Sequence, residues 1–419
     1  MKIGILHPLP LEYYPPVTNA IRFFSQRDDV RVLVLSSENE KERPAHINDR
    51  VDVRRFRIGN GTYSLLRRWK NSLTWHWQAA KALAEFAPDV LLYFEPHSAL
   101  AAAIYYGWYH GTARLFIHHH EYYTASDYRQ PGNRLTRINH FFECRFLLPR
   151  ADWVSQTNSD RLRLFGADHP DVSADKQHVL PNYPPQSWMA ELDQTDSRNA
   201  GDPAPESSSC YRQVSFRADR QEAFSTGEEG KNSGQLVRLI YVGSVSMCDT
   251  FIGPLVEWLL TIPSSGLTLD VFAYNTDKVT REFLRQAHGE IVRFHERGVD
   301  YDELPALLRQ FDVGVILYRC RTVNYQYNAS NKLFEYLMCG LDVWYPPTML
   351  GVKPYARDDA WPRVIEVDFE QLQNLNLRML QSREGLPHRP WTRSCEAVYE
   401  DLLRAMRDSV GRRAAGSAD

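Results

Sequence analysis

The sequence predicts an α/β protein made of two consecutive doubly wound parallel sheets facing a shared cleft. Short apolar runs alternate with longer helix-period segments from the first residues onward, the pattern of strands joined by crossover helices. A second series of the same kind opens near residue 237, after a long polar stretch. A chain of 419 residues is long for one core, so two domains are the natural division.

In the first series, residues 3–6, 30–35, 51–56, 90–94, 115–118 and 153–156 read as strands. Residues 17–25, 73–86, 99–109 and 133–148 read as the helices between them. The second series has strands at 237–242, 267–273, 291–294, 313–317, 343–345 and 364–367. Residues 178–185 form a strand and a proline-rich exit, and 181–185 would serve as the hinge. Residues 193–234 are rich in Ser, Gly, Asp, Glu and Arg and poor in periodic apolar positions, so they read as disordered. The domains are therefore placed at 1–185 and 236–385, joined by an insertion at 186–235, with a helix at 386–410 and a loose tail at 411–419.

Composition excludes several classes. Apolar (43%) and charged (24%) fractions are those of a globular chain, and a net charge of −3 gives no support for nucleic-acid binding. Six cysteines without C-x-x-C spacing argue for reduced thiols rather than a disulfide framework or zinc motif. The start reads as a strand and not a signal peptide, and no window offers ~20 uninterrupted apolar residues for a membrane span. A cytoplasmic protein is expected.

The most informative stretch is 328–344: a loop, a helix start, an apolar helix, a glycine stop and a new strand. Ser330 or Asn331 can cap the helix, and Gly340 falls where a left-handed C-terminal residue belongs. Lys332 and Glu335 lie in the first turn, where free amides favour an anion such as a diphosphate and a carboxylate can accept from ribose hydroxyls. Upstream, Gly243 ends a buried strand and would let the backbone approach a phosphate, with Ser244 next to it. Main-chain groups at Gly298, Val299 and Asp300 follow another strand and can read a base edge, although such loops are often plain connectors.

These residues carry a resemblance. Tyr241-Val-Gly243, Tyr301-Asp-Glu-Leu-Pro305, Asn331-Lys-Leu-Phe-Glu-Tyr336 and Cys339-Gly-Leu341 resemble the donor domain of GT-B glycosyltransferases of the retaining GT4 group (glycosyltransferase group 1). Leu115-Phe-Ile-His-His-His-Glu121, Arg150-Ala-Asp152 and Val179-Leu-Pro-Asn-Tyr183 are similar to its acceptor-side half. The resemblance implies a GT-B fold of two Rossmann-like domains, with the C-terminal helix crossing back to the first domain. It implies a nucleotide-sugar donor held by Gly243, Ser244, Asn331, Lys332, Leu333 and Glu335, with Glu335 on the ribose. It also implies a cleft role for His120 and Glu121 near the donor sugar, no metal, and no cofactor beyond the donor. Three positions depart from the pattern: no basic pair follows Gly243, Tyr327 stands where an acidic residue is common, and Asp342 replaces a proline.

Other features have two readings each. Strand alternation sends His118 and His120 to one face and His119 to the other, so the three cannot share one ion. Glu95 and His97 end the preceding strand and would face the same cleft, with a structural role slightly favoured. Asp300-Tyr-Asp302 imitates a D-x-D metal motif but reads as helix capping. The stretch from Arg67 to Trp77 mixes cations with tryptophans, which suits either a membrane surface with a lipid-linked sugar acceptor or core packing. Tyr13, Tyr14, Tyr122, Tyr123 and Tyr128 fall on strand-end loops and can stack on sugars. The expected activity is sugar transfer from a nucleoside diphosphate sugar to a hydroxyl acceptor, in cell-surface polysaccharide or glycolipid synthesis. A nucleotide-sugar epimerase and a non-catalytic scaffold of the same fold are the rivals.

Overall fold

The structure is a computed structural model that describes residues 1–38, 48, 50–58, 65–130, 134–189, 236–377, 380 and 382–416. The expected disordered insertion at 193–234 lies outside the described residues. Residues 186–189 do not behave as linker: Trp188 is buried, with its ring 5.1 Å from that of Tyr301.

Among the described residues there are two all-parallel sheets, of seven and six strands. The first comprises β1 (Lys2–Leu6), β2 (Arg31–Ser37), β3 (Val51–Phe56), β4 (Val90–Phe94), β5 (Arg114–His119), β6 (Trp153–Gln156) and β7 (Gln177–Val179), in the order β3-β2-β1-β4-β5-β6-β7. The second comprises β8 (Val237–Val242), β9 (Leu267–Phe272), β10 (Val292–His295), β11 (Val313–Val315), β12 (Asp342–Tyr345) and β13 (Val364–Glu366), in the order β10-β9-β8-β11-β12-β13. In both sheets the order reverses beside the first strand, at β1/β4 and at β8/β11. Crevices at such switch points, beyond the strands' carboxyl ends, bind ligands. Central strands are buried almost end to end and mostly apolar, with Asp342 of β12 the buried exception among these strands, as sheets covered on both faces lead one to expect.

The helices that frame the site are α1 (Pro15–Ser25), α2 (Leu65–Phe86), α3 (Ala99–Gly107), α4 (Ala125–Arg129), α5 (Arg134–Phe142) and α6 (Ser159–Asp168) in the first half. In the second they are α7 (Ile252–Thr261), α8 (Lys278–Ala287), α9 (Leu304–Leu308), α10 (Val323–Gln326) and α11 (Asn331–Met338). The helix expected over 133–148 is broken: α5 passes into a π-helical turn at Glu143–Leu147 and a 3-10 turn at Leu148–Arg150. Pro149 lacks an amide hydrogen and ends the ladder there. The last helix, α12 (Cys395–Gly416), runs beyond residue 410 into the stretch read as a loose tail. It lies on α1, where the Tyr399 hydroxyl donates to the Pro16 carbonyl at 2.9 Å and the ring contacts Phe23 and Phe24.

One apolar cluster runs through both halves, joining Ile3, Val34 and Phe24 to Phe334, Leu337 and Met406. At the junction the rings of Tyr183, Phe334 and Trp391 meet within 4.8–5.5 Å. The first turn of α11 is thus wedged against residues of the first half. Asp342, where a proline had been expected, is fully buried and receives the Arg363 amide at 2.6 Å and its guanidinium at 2.7 and 3.1 Å. Removing one partner of such a buried pair costs ~3–5 kcal/mol, so this departure anchors β12 rather than loosening the turn.

Candidate active site

In the second half the site grows from β8 and α11. Gly243 ends β8 at φ +123°, and a Cβ there would lie 3.1 Å from Lys332 Nζ. A larger residue would therefore be strained in backbone and would press on the ammonium. Lys332 donates to the Tyr318 hydroxyl at 2.7 Å and sits over the rings of Tyr318 (5.0 Å) and Tyr241 (5.6 Å). Burial works against its charge, but Tyr318, Tyr241 and Glu335 outweigh burial and hold the lysine above its ordinary range. One turn on, burial pushes the Glu335 carboxyl up to about 7, with Lys332 pulling the other way.

Several expectations about this helix need correction. Ser330 occupies the N-cap but its side chain makes no capping bond, because its own backbone turn brings only its carbonyl to the Leu333 amide, at 3.0 Å. Leu333 is fully buried and that amide is already engaged. Ser244 accepts from Asn275 Nδ2 at 3.0 Å through its hydroxyl, and its carbonyl accepts from the Tyr241 hydroxyl at 2.5 Å. Gly298, at φ +63°, lies against Tyr274, and Val299 packs on the core. The Asp300 carbonyl accepts from Glu303. Asp302 does not cap α9. It pairs bidentately with Arg22 of α1, at 2.9 and 3.0 Å, because α1 lies against this loop.

In the first half, β5 delivers the histidines with strand alternation. His119 faces Glu143, with Nε2 2.9 Å from Oε1, whereas the rings of His118 and His120 lie together at 4.6 Å on the other face. His118 Nδ1 bonds Ser155 Oγ at 2.9 Å. His120 stacks on Phe94, and burial with the nearby His7 and Arg161 pushes its pKa down to about 3, so it is neutral. Its Nε2 is buried without a partner. Glu121 pairs with Arg161 at 3.6 Å and accepts from the Asn324 amide of the second half.

Glu95, at the end of β4, faces the cleft as expected, and its geometry goes beyond the slightly favoured structural role. Its backbone is left-handed (φ +65°), a strained conformation for a non-glycine residue. Oε1 accepts from the amides of His120 (2.6 Å) and Glu121 (3.1 Å), while Oε2 is buried with no partner. Burial pushes this carboxyl up to about 8, so at neutral pH it carries a proton. His7, just past β1, has both ring nitrogens buried without partners and is pushed down to about 3 by burial. His7 and Glu95 flank the β1/β4 switch point. The available signal was that each is a polar residue directly following an apolar strand.

A cleft of about 530 Å³ unites these parts. Glu95, His120 and Glu121 line it from one half and Asn331 and Lys332 from the other, with Tyr13, Tyr14, Tyr122 and Tyr123 among the walls. Gly243, Ser244, Leu333, Glu335 and the 298–300 loop do not line it, and Tyr128 stacks elsewhere, on His140. Arg161 stitches the back wall by donating to the His120 carbonyl and, at 2.9 Å, to the Asn324 carbonyl. The Tyr327 carbonyl accepts from Asn158 at 2.7 Å.

No family model matches the sequence, and no curated protein sequence matches it. Solved structures do. Over 100% of both chains this one is similar to the sucrose-phosphate synthase of Thermosynechococcus elongatus (TM-score 0.59, 14% identity). It is similar to WaaG, a glycosyltransferase involved in lipopolysaccharide biosynthesis, over 98% of this chain and 95% of that one (TM-score 0.57, 13% identity). A UDP-GlcNAc 2-epimerase from Neisseria meningitidis, bound to UDP-GlcNAc, aligns over 97% of this chain and 100% of its own (TM-score 0.57, 12% identity). The chain has the GT-B fold. Identities this low carry the architecture and leave the chemistry to the cleft.

Proposed function

We propose that this protein transfers a sugar from a nucleoside diphosphate sugar to a hydroxyl acceptor, with retention at the anomeric carbon. The observation that carries this reading is the facing of Lys332 and Asn331 on one wall by Glu95 and His120 on the other. Lys332 and the start of α11 would hold the diphosphate, so its charge needs no divalent ion, and Glu335 would accept from the ribose once ionised. As the bond between anomeric carbon and diphosphate oxygen breaks, its electron pair goes to that oxygen, beside Lys332. The acceptor oxygen bonds the same carbon and its proton leaves to the diphosphate or to solvent. Neutral His120, with Nε2 free, is suited to hydrogen-bond a sugar hydroxyl. Positioning and electrostatic stabilisation supply most of such a rate enhancement. No cofactor is required.

Among the described residues no helix is long and apolar enough to cross a membrane. Trp75 is buried in the core, donating to the Ser36 carbonyl at 3.1 Å, so that ring packs rather than faces lipid. Trp77 (42% exposed) and Trp108 (69%) form an exposed ring pair. That pair would set the protein at the inner face of a membrane, near a lipid-linked acceptor of polysaccharide or glycolipid synthesis. Flotation with anionic vesicles, lost in a Trp77→Ser/Trp108→Ser variant, checks it.

A second reading is epimerisation of a nucleotide sugar, favoured by one observation: a protonated, strained Glu95 is placed for proton transfer. A panel of UDP-, GDP- and ADP-sugars read by thermal shift separates the readings, since a bound donor raises the melting midpoint. Transfer predicts one stabilising donor class and turnover only with acceptor. Epimerised sugar formed without acceptor sinks the transferase reading, and no binding at all leaves a scaffold.

A further inference from the structure

Beyond the cleft, we propose that His140, Cys144 and His169 form a binding site for a borderline divalent metal ion of the zinc class. One ligand atom from each residue can be chosen so that all lie within 4.8 Å of one another, and none of the three lines the sugar cleft. The donor set decides the metal class. One thiolate and two imidazoles suit zinc, cobalt or copper, whereas magnesium and calcium take oxygen ligands.

The spacing is near what a tetrahedral ion needs. With metal–sulfur bonds of ~2.3 Å and metal–nitrogen bonds of ~2.0–2.1 Å, adjacent sulfur and nitrogen ligands stand about 3.5 Å apart. Cys144 Sγ lies 3.4 Å from His140 Nε2 and 3.6 Å from Nδ1, which puts it over the ring face. A rotation of the Cys144 side chain is therefore needed to bring the sulfur onto an ion held by the Nε2 lone pair. His140 lies in the last turn of α5 and Cys144 four residues on, within the π-helical turn Glu143–Leu147, so both project from one side of the segment. His169 comes from a separate element, the C-terminal cap of α6. An ion here would clamp the irregular end of α5 to the end of α6.

The surroundings are those of a supported ligand. Glu143 Oε2 lies 3.4 Å from His140 Nδ1, which leaves Nε2 for the ion, the carboxylate–histidine–metal arrangement. Glu143 is itself held by the Tyr93 hydroxyl at 2.8 Å and by His119 at 2.9 Å. Tyr128 stacks on the His140 ring at 3.8 Å and 7°, fixing its plane. The three ligand residues are half-buried, so an ion can enter and water can take the fourth position.

The full chain, stripped of metal by chelation, would be titrated with Co²⁺ and competed with Zn²⁺. The site predicts one equivalent of Co²⁺ with tetrahedral d–d bands and a sulfur-to-cobalt charge-transfer band, both bleached by Zn²⁺. Cys144→Ser should lose the charge-transfer band, and His169→Ala should weaken binding at least about a hundredfold. Cys248→Ser, at an exposed cysteine, should behave as wild type. Circular dichroism of the metal-free variants establishes that they fold. Zn²⁺ protection of Cys144 from alkylation, read by mass spectrometry, serves if a variant does not. Absence of the bands in wild type, or equal binding by Cys144→Ser and His169→Ala, overturns the site.

Discussion

The strand ends of the two halves meet across the same cleft and are built on opposite principles. In the second half the charged group is satisfied: Lys332 has a hydrogen bond and two ring faces, and Gly243 leaves room for it. In the first half the polar atoms are left wanting, with His7, His120 Nε2 and Glu95 Oε2 buried and unpartnered and Glu95 in a strained backbone. Buried polar atoms normally find partners, and leaving one unmade costs ~1–3 kcal/mol; of these residues Glu95 and His120 line the cleft, while His7 lies behind it. On the proposed reading the walls would divide the labour, with Lys332 holding an anion on one side and Glu95 and His120 meeting the sugar on the other.

The largest expected break comes from Glu95→Gln, and it separates the two readings. Glutamine keeps an oxygen for the His120 and Glu121 amides but cannot exchange a proton, so epimerisation through Glu95 should fall by about 10²–10⁴. Transfer, whose acceptor proton goes to the diphosphate or solvent, should keep its turnover and nucleoside diphosphate affinity. Steady-state kinetics beside calorimetry decides it, and unaltered turnover would remove Glu95 from the chemistry. Glu335→Ala should act on binding instead. Losing hydrogen bonds to a carboxylate, each worth ~1.5–3 kcal/mol, should weaken donor binding on the order of 10²-fold. Unchanged binding would break the assignment of the ribose to α11.

The smallest effect is on stability and sharpens the contrast by pH. Glu95 and Glu335 titrate at about 8 and about 7 when folded, above the ordinary carboxyl value of 4.5. Between those limits the folded chain binds more protons than the unfolded one, so their contribution falls as pH rises. His7, His76 and His120, held to about 3, and His118, held well below its ordinary range by burial, act oppositely around and below their unfolded value of 6.5. His119 has the same sign as the carboxyls, since Glu143 outweighs burial and holds it above its ordinary range. The depressed histidines offset much of the carboxyl effect in the whole protein, so the readout is the difference between wild type and Glu95→Gln. That difference should shift by about 1.5 kcal/mol toward the variant between pH 6.5 and 8. Denaturant midpoints across that range check the slope, and Glu95→Gln should remove more of it than Glu335→Gln, because its window is wider.

Much of this molecule was legible beforehand. Apolar runs located the strands, and the glycine stop at Gly340, with φ +80°, ends α11 as read. The spacing of Lys332 and Glu335 placed both on one helix, although Glu335 falls in its second turn and not, as read, in its first. His7, Arg161 and Asn324 were not foreseen, because nothing local distinguishes a polar residue at a switch point from one in a loop. Glu95 was undervalued for the same reason: its strain and its unpaired oxygen depend on β5 alongside. The three candidate metal ligands lie on two elements, and their convergence depends on a π-helical turn that periodicity cannot register.

Local pattern alone sets the two doubly wound units, the helix that carries Lys332 and Glu335, and the opposite facings of His119 and His120. Those features follow from periods of two and 3.6 residues and from local backbone preference. Only the tertiary structure decided which strand ends share a cleft, and which carboxyls titrate near neutrality. Burial and the proximity of distant residues are properties of the packed chain, and a one-dimensional pattern does not contain them.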